Sequence, residues 1–93
     1  MTRTWKVRID LFETDDLRGD GDVTTAHAEL TTSSGTRLDG RGRARRAPQD
    51  RDVPEIGDEL AAARALRDLA DRLLRATSED ISALEHEDVQ IVR

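Results

Sequence analysis

Residues 56–77, IGDELAAARALRDLADRLLRAT, repeat apolar side chains at the three- and four-residue spacing of an α-helix. At about 100° per residue, Ile56, Leu60, Ala63, Leu66, Ala70 and Leu73 share one broad face, flanked by Ala62, Leu69 and Leu74. The opposite side carries Arg64, Asp68, Asp71, Arg72 and Arg75. There Asp68–Arg72 and Asp71–Arg75 stand in the favourable acid-before-base order at i,i+4. Acids gather at the start (Glu55, Asp58, Glu59) and arginines at the end, as the helix dipole favours, and Pro54 sits where a missing N–H costs little. No other segment offers as much apolar area, so the core is expected to form on this face. Thr77 or Ser78, followed by Glu79 and Asp80, reads as the N-cap of a second, shorter helix through about Glu85.

The first half of the chain alternates with a period of two. Trp5, Val7, Ile9 and Leu11 face one way and Lys6, Arg8 and Asp10 the other, which predicts a strand over 4–12, with Phe12 on the polar side. The acidic connection 13–22 holds Gly19-Asp20-Gly21-Asp22, a hairpin tip. A weaker strand follows over 23–31, with Ala26, Ala28 and Leu30 on one face, and Ser33-Ser34-Gly35 makes the second turn. The third strand, 36–46, sets Leu38, Gly40, Gly42 and Ala44 against Arg37, Asp39, Arg41, Arg43 and Arg45. Small residues on its inner face invite close approach of the helix, with Ala63 and Ala70 as the expected partners. Residues 47–55 form a polar crossover, and the tail 87–93 is expected to fray or to dock on something.

The order strand, strand, strand, helix predicts a single two-layer α+β domain. In it a three-stranded antiparallel meander is covered by one long C-terminal helix plus a short second helix. The other sheet face is polar and suits solvent. With 93 residues, 35% hydrophobic and 38% charged, the chain supports one thin core. One Trp, one Phe and no Tyr argue against an aromatic-lined pocket or a base-stacking platform, and the lack of cysteine excludes disulfides and thiol chemistry. Alternation begins at Trp5 with no apolar h-region before it, and no stretch approaches spanning length, so no membrane association and a soluble cytoplasmic chain are expected.

Few groups suggest chemistry. Glu59 interrupts the apolar helix face. It either reaches water past the sheet edge or pairs with a strand arginine, or it is a half-buried acid or base with a raised pKa. No second catalytic group is identifiable beside it, which favours the first reading and a non-enzyme. The sharpest binding candidate is the run Arg41-Gly42-Arg43-Ala44-Arg45-Arg46, with Arg37 on the same strand. Alternate arginines stand about 6.7 Å apart and could follow a phosphate backbone or an acidic surface. More often such a row is a solvated face, cross-paired here with Asp10, Glu29 or a second subunit. The net charge of −5 argues against nucleic acid as the main partner. The acidic loop fails the calcium-loop pattern, since Arg18 and His27 fall where ligands are needed, and His27 and His86 lack a metal-ligand spacing. No cofactor or metal is implied. An unidentified protein partner or a homo-oligomer is the expected interaction.

The run Ile56-Gly57-Asp58-Glu59-Leu60-Ala61, continuing through Ala63-Arg64-Ala65-Leu66 to Asp68-Leu69-Ala70, resembles the signature of a family of short actinobacterial proteins of unknown function with a dsRBD-like fold. The resemblance extends to the strand at Trp5–Leu11, the arginine-studded third strand and the Ser78-containing second helix. It implies three antiparallel strands with a helix across them, lacking the N-terminal helix of true double-stranded RNA-binding domains. It implies no reaction or cofactor. Where those domains place phosphate-gripping lysines, at the start of the last helix, this chain has Glu55, Asp58 and Glu59, which repel a phosphate backbone.

Overall fold

The computed structural model describes residues 1–15, 22–46 and 53–92, the last six as helix backbone. Three strands, β1 (Lys6–Asp15), β2 (Asp22–Thr31) and β3 (Arg37–Arg45), form an antiparallel sheet in the order β1-β2-β3. One helix, α1 (Pro54–Val92), lies over it. The sheet is the expected meander. Its second turn closes as the sequence implies, because Gly35 takes the left-handed φ of 89° that its neighbours avoid. Its N–H reaches Thr32 O at 3.1 Å, and Thr32 N–H reaches Thr36 O at 2.9 Å. Residues 19–21 of the first hairpin tip and 47–52 of the crossover lie outside the described residues, while Pro54 and Glu55, expected in the crossover, already belong to α1.

Register puts every small or apolar inner residue on one face. Val7 pairs with Leu30, Ile9 with Ala28 and Leu11 with Ala26, while Ala26 faces Gly42 and Ala28 faces Gly40. The core is Ala26, Ala28, Leu30 and Ala44 from the sheet with Ala61, Ala65 and Leu69 from α1, and Leu38 and Leu73 are half-buried at its margin.

The helix meets the sheet with a different face from the one its leucines suggest. Ala61 and Ala65 are fully buried, whereas Leu66 is 41% and Ile56 60% exposed. Gly40 and Gly42 explain the choice. A Cβ on Gly40 would fall against Ala65 O and Leu69 N, and one on Gly42 against Ala61 O and Ala65 N. Helix backbone therefore rests directly on strand backbone, and only an alanine ridge permits that approach. Ala63 and Ala70, the expected partners of the glycines, are exposed.

Nor does a second helix begin at 77–78. α1 continues through 77–78 to Val92. The Thr77 and Ser78 hydroxyls do not cap a new start but donate back to Leu73 O (3.0 Å) and Leu74 O (3.2 Å), four residues earlier. The tail that was expected to fray or dock is helical as far as Val92. At about 1.5 Å per residue, the helix outruns a sheet whose strands are nine or ten residues long. From Thr77 to His86 every residue is exposed. The molecule is accordingly 65 Å long but only 17 Å thick.

Candidate functional site

The outer face of the sheet carries the arginine row. Arg37, Arg41, Arg43 and Arg45 alternate with inner residues along β3 and are exposed, as the two-residue period requires. Arg46 leaves the row. It falls on the opposite parity just past the strand, where its N–H donates to Asp22 O (2.9 Å) and its guanidinium pairs with the Asp22 carboxylate (3.1 Å) at the hairpin base.

Cross-strand neighbours dilute the positive charge. Arg41 stands opposite His27, which in turn faces Asp10, and Asp39 stands opposite Glu29. His27 Nε2 lies 3.0 Å from Asp39 Oδ2, a contact that holds the Asp39 carboxyl below the usual carboxylate range. Asp10 is engaged by Arg8 at 3.1 Å and by no β3 arginine, so the expected cross-pairing of the row with Asp10 and Glu29 is absent among the described residues.

The free edge of β3 is closed by α1. Arg41 N–H donates to Asp68 Oδ2 at 2.9 Å, and the Arg64 guanidinium donates to Arg43 O at 2.6 Å. These backbone groups point away from β2 and would otherwise be open to another strand. The N–H bond, with Arg72 at 3.3 Å from the same carboxylate, lowers the Asp68 pKa.

Because α1 is anchored over β2 and β3, β1 is left bare on the helix side. Its row Val7, Ile9 and Leu11, paired with Leu30, Ala28 and Ala26, belongs to the same sheet face as the buried core, yet Val7 is 47% and Ile9 37% exposed, and Trp5 just before the strand is 50% exposed. The i,i+4 ridges of the helix sort by chemistry around this gap. Ala61, Ala65, Leu69 and Leu73 press on the sheet. The ridge one residue behind, Arg64, Asp68 and Arg72, borders the β3 edge. On the other side Ala62 and Leu66, about 60° and 100° round the helix from Ala65, flank β1. Together the β1 row and these two side chains make a shallow apolar trough.

Glu59 is exposed on the helix, on the ridge that continues through Ala63 to Arg67, Asp71 and Arg75. The face it interrupts in sequence is not the one that packs on the sheet. Among the described residues no group of three or more His, Asp or Glu side chains could hold a metal ion, and no helix is long and apolar enough to cross a membrane.

Alternation along the third strand was enough to find the arginine row. The trough was missed. A signal for it exists: the third strand offers one pair of glycines, Gly40 and Gly42, for a helix to rest on, and the helix has apolar residues on more than one side.

The comparisons point one way. A family model described as Rv2632c-like matches residues 3–90. The chain is 42% identical over 88 residues to "Uncharacterized protein Mb1767" of Mycobacterium bovis (strain ATCC BAA-935 / AF2122/97), covering 95% of this chain and 86% of the relative. It is 50% identical over 66 residues to "Uncharacterized protein Rv2632c" of Mycobacterium tuberculosis (strain ATCC 25618 / H37Rv), covering 71% of this chain and 70% of that one. Among solved structures, "Crystal Structure of Rv2632c" superposes with a TM-score of 0.77 at 41% identity, covering 92% of this chain and 94% of that one.

Proposed function

The chain belongs to the Rv2632c-like family, and on that premise we propose that it is a non-enzymatic cytoplasmic module that acts through protein contacts. Its scaffold is read as dsRBD-like, a meander under a final helix, with the work moved away from that fold's phosphate-binding surface. The observation that carries this reading is the bare β1 row. Val7, Ile9 and Leu11 lie on the helix-facing side of the sheet yet stay 37–47% exposed, with the half-exposed Trp5 just ahead of them in the chain. Isolated exposed apolar residues need no explanation, but a contiguous strip of this kind favours contact with another protein surface.

Site-specific photo-crosslinking in cells tests it. A benzophenone side chain at Leu66 should give discrete protein adducts, and the same probe at Arg43 on the outer face should give far fewer. Equal or absent labelling at the two positions would overturn the proposal.

A second reading is weak nucleic-acid binding by the outer face. It is favoured by the guanidinium groups of Arg37, Arg41 and Arg43, which make no hydrogen bond or ion pair among the described residues. Gel-shift titration at low salt against single- and double-stranded DNA and RNA decides it. Retardation that Arg41→Glu and Arg43→Glu abolish would support it, and no retardation ends it.

A further inference from the structure

We infer that the face of α1 turned away from the sheet is a coiled-coil seam, and that it pairs antiparallel with α1 of a second copy of this chain. This goes beyond the reading of β1 and uses the other side of the helix.

Two interleaved series run along α1 at seven-residue steps. One is Leu60, Arg67, Leu74 and Ile81, and the other is Ile56, Ala63, Ala70, Thr77 and Leu84. Together they alternate steps of four and three, the spacing of the a and d positions of a heptad, and sustain it over about four heptads. At about 100° per residue, Leu74 and Ile81 lie about 180° and 160° round the helix from the sheet-facing Ala65. Every member of the stripe is exposed, Leu74 at 67% and Leu84 at 61%. A period of 3.5 suits another helix and not a strand, whose side chains repeat every two residues. The stripe drifts by about 20° per heptad, which two helices accommodate by winding left-handed around each other.

Charge sets the direction. From Thr77 to Val92 the helix has five carboxylates and no lysine or arginine, whereas residues 64–75 hold four arginines and two aspartates. Parallel pairing would lay the acidic end on its own copy. Antiparallel pairing lays it along the arginine-bearing stretch of the other helix instead.

Charge also selects the register. With the two-fold axis between Arg75 and Ala76, Leu74 meets Thr77 of the second copy, Ala70 meets Ile81, and Arg67 meets Leu84. At the flank of the seam Arg64 then stands beside Glu85, and no like charges face each other among the described residues. The neighbouring registers lack this match. An axis at Arg72 would set Asp71 against its own copy, and one at Glu79 would do the same to Asp80.

The pairing accounts for a helix that outruns its sheet. A sixteen-residue helix with nothing packed on it is marginal in water. In the pair, residues 77–92 of each copy lie on residues 59–74 of the other, a stretch that the sheet holds from the far side. The layers run sheet, helix, helix, sheet, so neither sheet obstructs the other and both β1 rows stay open. The contact is isologous, the commonest way for identical chains to close an assembly. The helices overlap for about 51 Å at 1.5 Å per residue, along a strip about 10 Å wide. The two strips total about 1,000 Å² before side chains interdigitate, the size at which specific interfaces begin.

Sedimentation equilibrium of the full chain across the micromolar range tests the inference. The expected mass is twice that of the 10.4 kDa chain. Leu74→Glu and Ile81→Glu should each weaken self-association at least tenfold while the chain stays folded by circular dichroism, since neither side chain faces the sheet. Ile9→Lys on β1 should leave the doubled mass unchanged.

Cysteines report direction, because the chain has none of its own. In the antiparallel pair the two copies of position 70 stand eleven residues apart along the helices, about 16 Å, beyond the roughly 7 Å that a disulfide spans. Ala70→Cys and Ile81→Cys, each oxidised alone, should therefore stay unlinked, and a mixture of the two should give a linked pair.

A single-chain mass throughout, or a dimer indifferent to both glutamate variants, would overturn the seam. Linkage of either cysteine variant to itself would overturn its direction. A dimer that Ile9→Lys dissolves and Leu74→Glu does not would place the contact on β1, so that this inference falls while the contact reading of β1 stands.

Discussion

Adding one methyl group at Gly40 tests the account of how the helix is seated. In a strand interior, glycine to alanine ordinarily stabilises by roughly 0.5–1 kcal/mol, because glycine loses more chain entropy on folding. Here the sign should reverse. The new Cβ would lie within 3.0 Å of Leu69 N, Leu69 Cα and Ala65 O, all helix backbone that cannot rotate aside. The helix must therefore retreat.

A gap of about 0.5–1 Å forfeits about a quarter to a half of the dispersion attraction across it, and overpacking generally costs about 1–3 kcal/mol. The retreat would also stretch the bonds from Arg64 to Arg43 O and from Arg41 N–H to Asp68, so about 3 kcal/mol is expected for Gly40→Ala and again for Gly42→Ala. A chain of this length has about 5–14 kcal/mol of total stability, so either change removes a large share of it. Thermal melts at one fixed protein concentration provide the assay. At about 4–8 °C per kcal/mol for a domain this size, each single variant should lose about 12–24 °C. An unchanged or raised Tm would refute backbone-on-backbone seating.

Ser78→Ala should leave the far-UV helix signal equal or slightly higher, since an interior serine is worse than alanine by up to about 0.7 kcal/mol. If Ser78 capped a separate helix, the same change would cost about 1 kcal/mol and lower that signal. Gly35→Ala should destabilise by about 1–2 kcal/mol in urea melts through its left-handed φ, since nothing crowds the position. Asp68→Ala should speed hydrogen exchange at the Arg41 amide, which loses its acceptor, and unchanged protection there would sink the edge-closing role.

Acid should weaken the fold. The carboxyls of Asp39 and Asp68 are held below their ordinary 3.8 by the His27 hydrogen bond and the Arg41 N–H, respectively. Such groups contribute stability above their unfolded pKa and lose it as pH falls through the lower folded value. Urea midpoints should therefore drop below about pH 4, and less steeply in Asp68→Ala.

Much of this architecture follows from local pattern alone. The period of two in Trp5–Leu11 and in Leu38–Ala44 gives strands and assigns their faces, because side chains alternate strictly along a strand. Gly35 marks its turn because that turn requires a positive φ. The arginine row was legible for the same reason, and so was a helix beginning near Pro54.

Three features were not legible in that pattern, and tertiary contact decided the first and the third. The first is the face of α1 that packs, for which hydrophobicity favours the leucine ridge. The choice turns on the match between Gly40–Gly42, about 6.7 Å apart along a strand, and Ala61–Ala65, about 6.0 Å apart along a helix. The second is the continuity of α1, because the serine and threonine that can start a helix can also bond back within one. The third is the bare β1 face. Backbone contact at the glycines draws the helix to β3, where Arg64 and Asp68 fasten it, and a rod about 10 Å wide resting there cannot also cover β1.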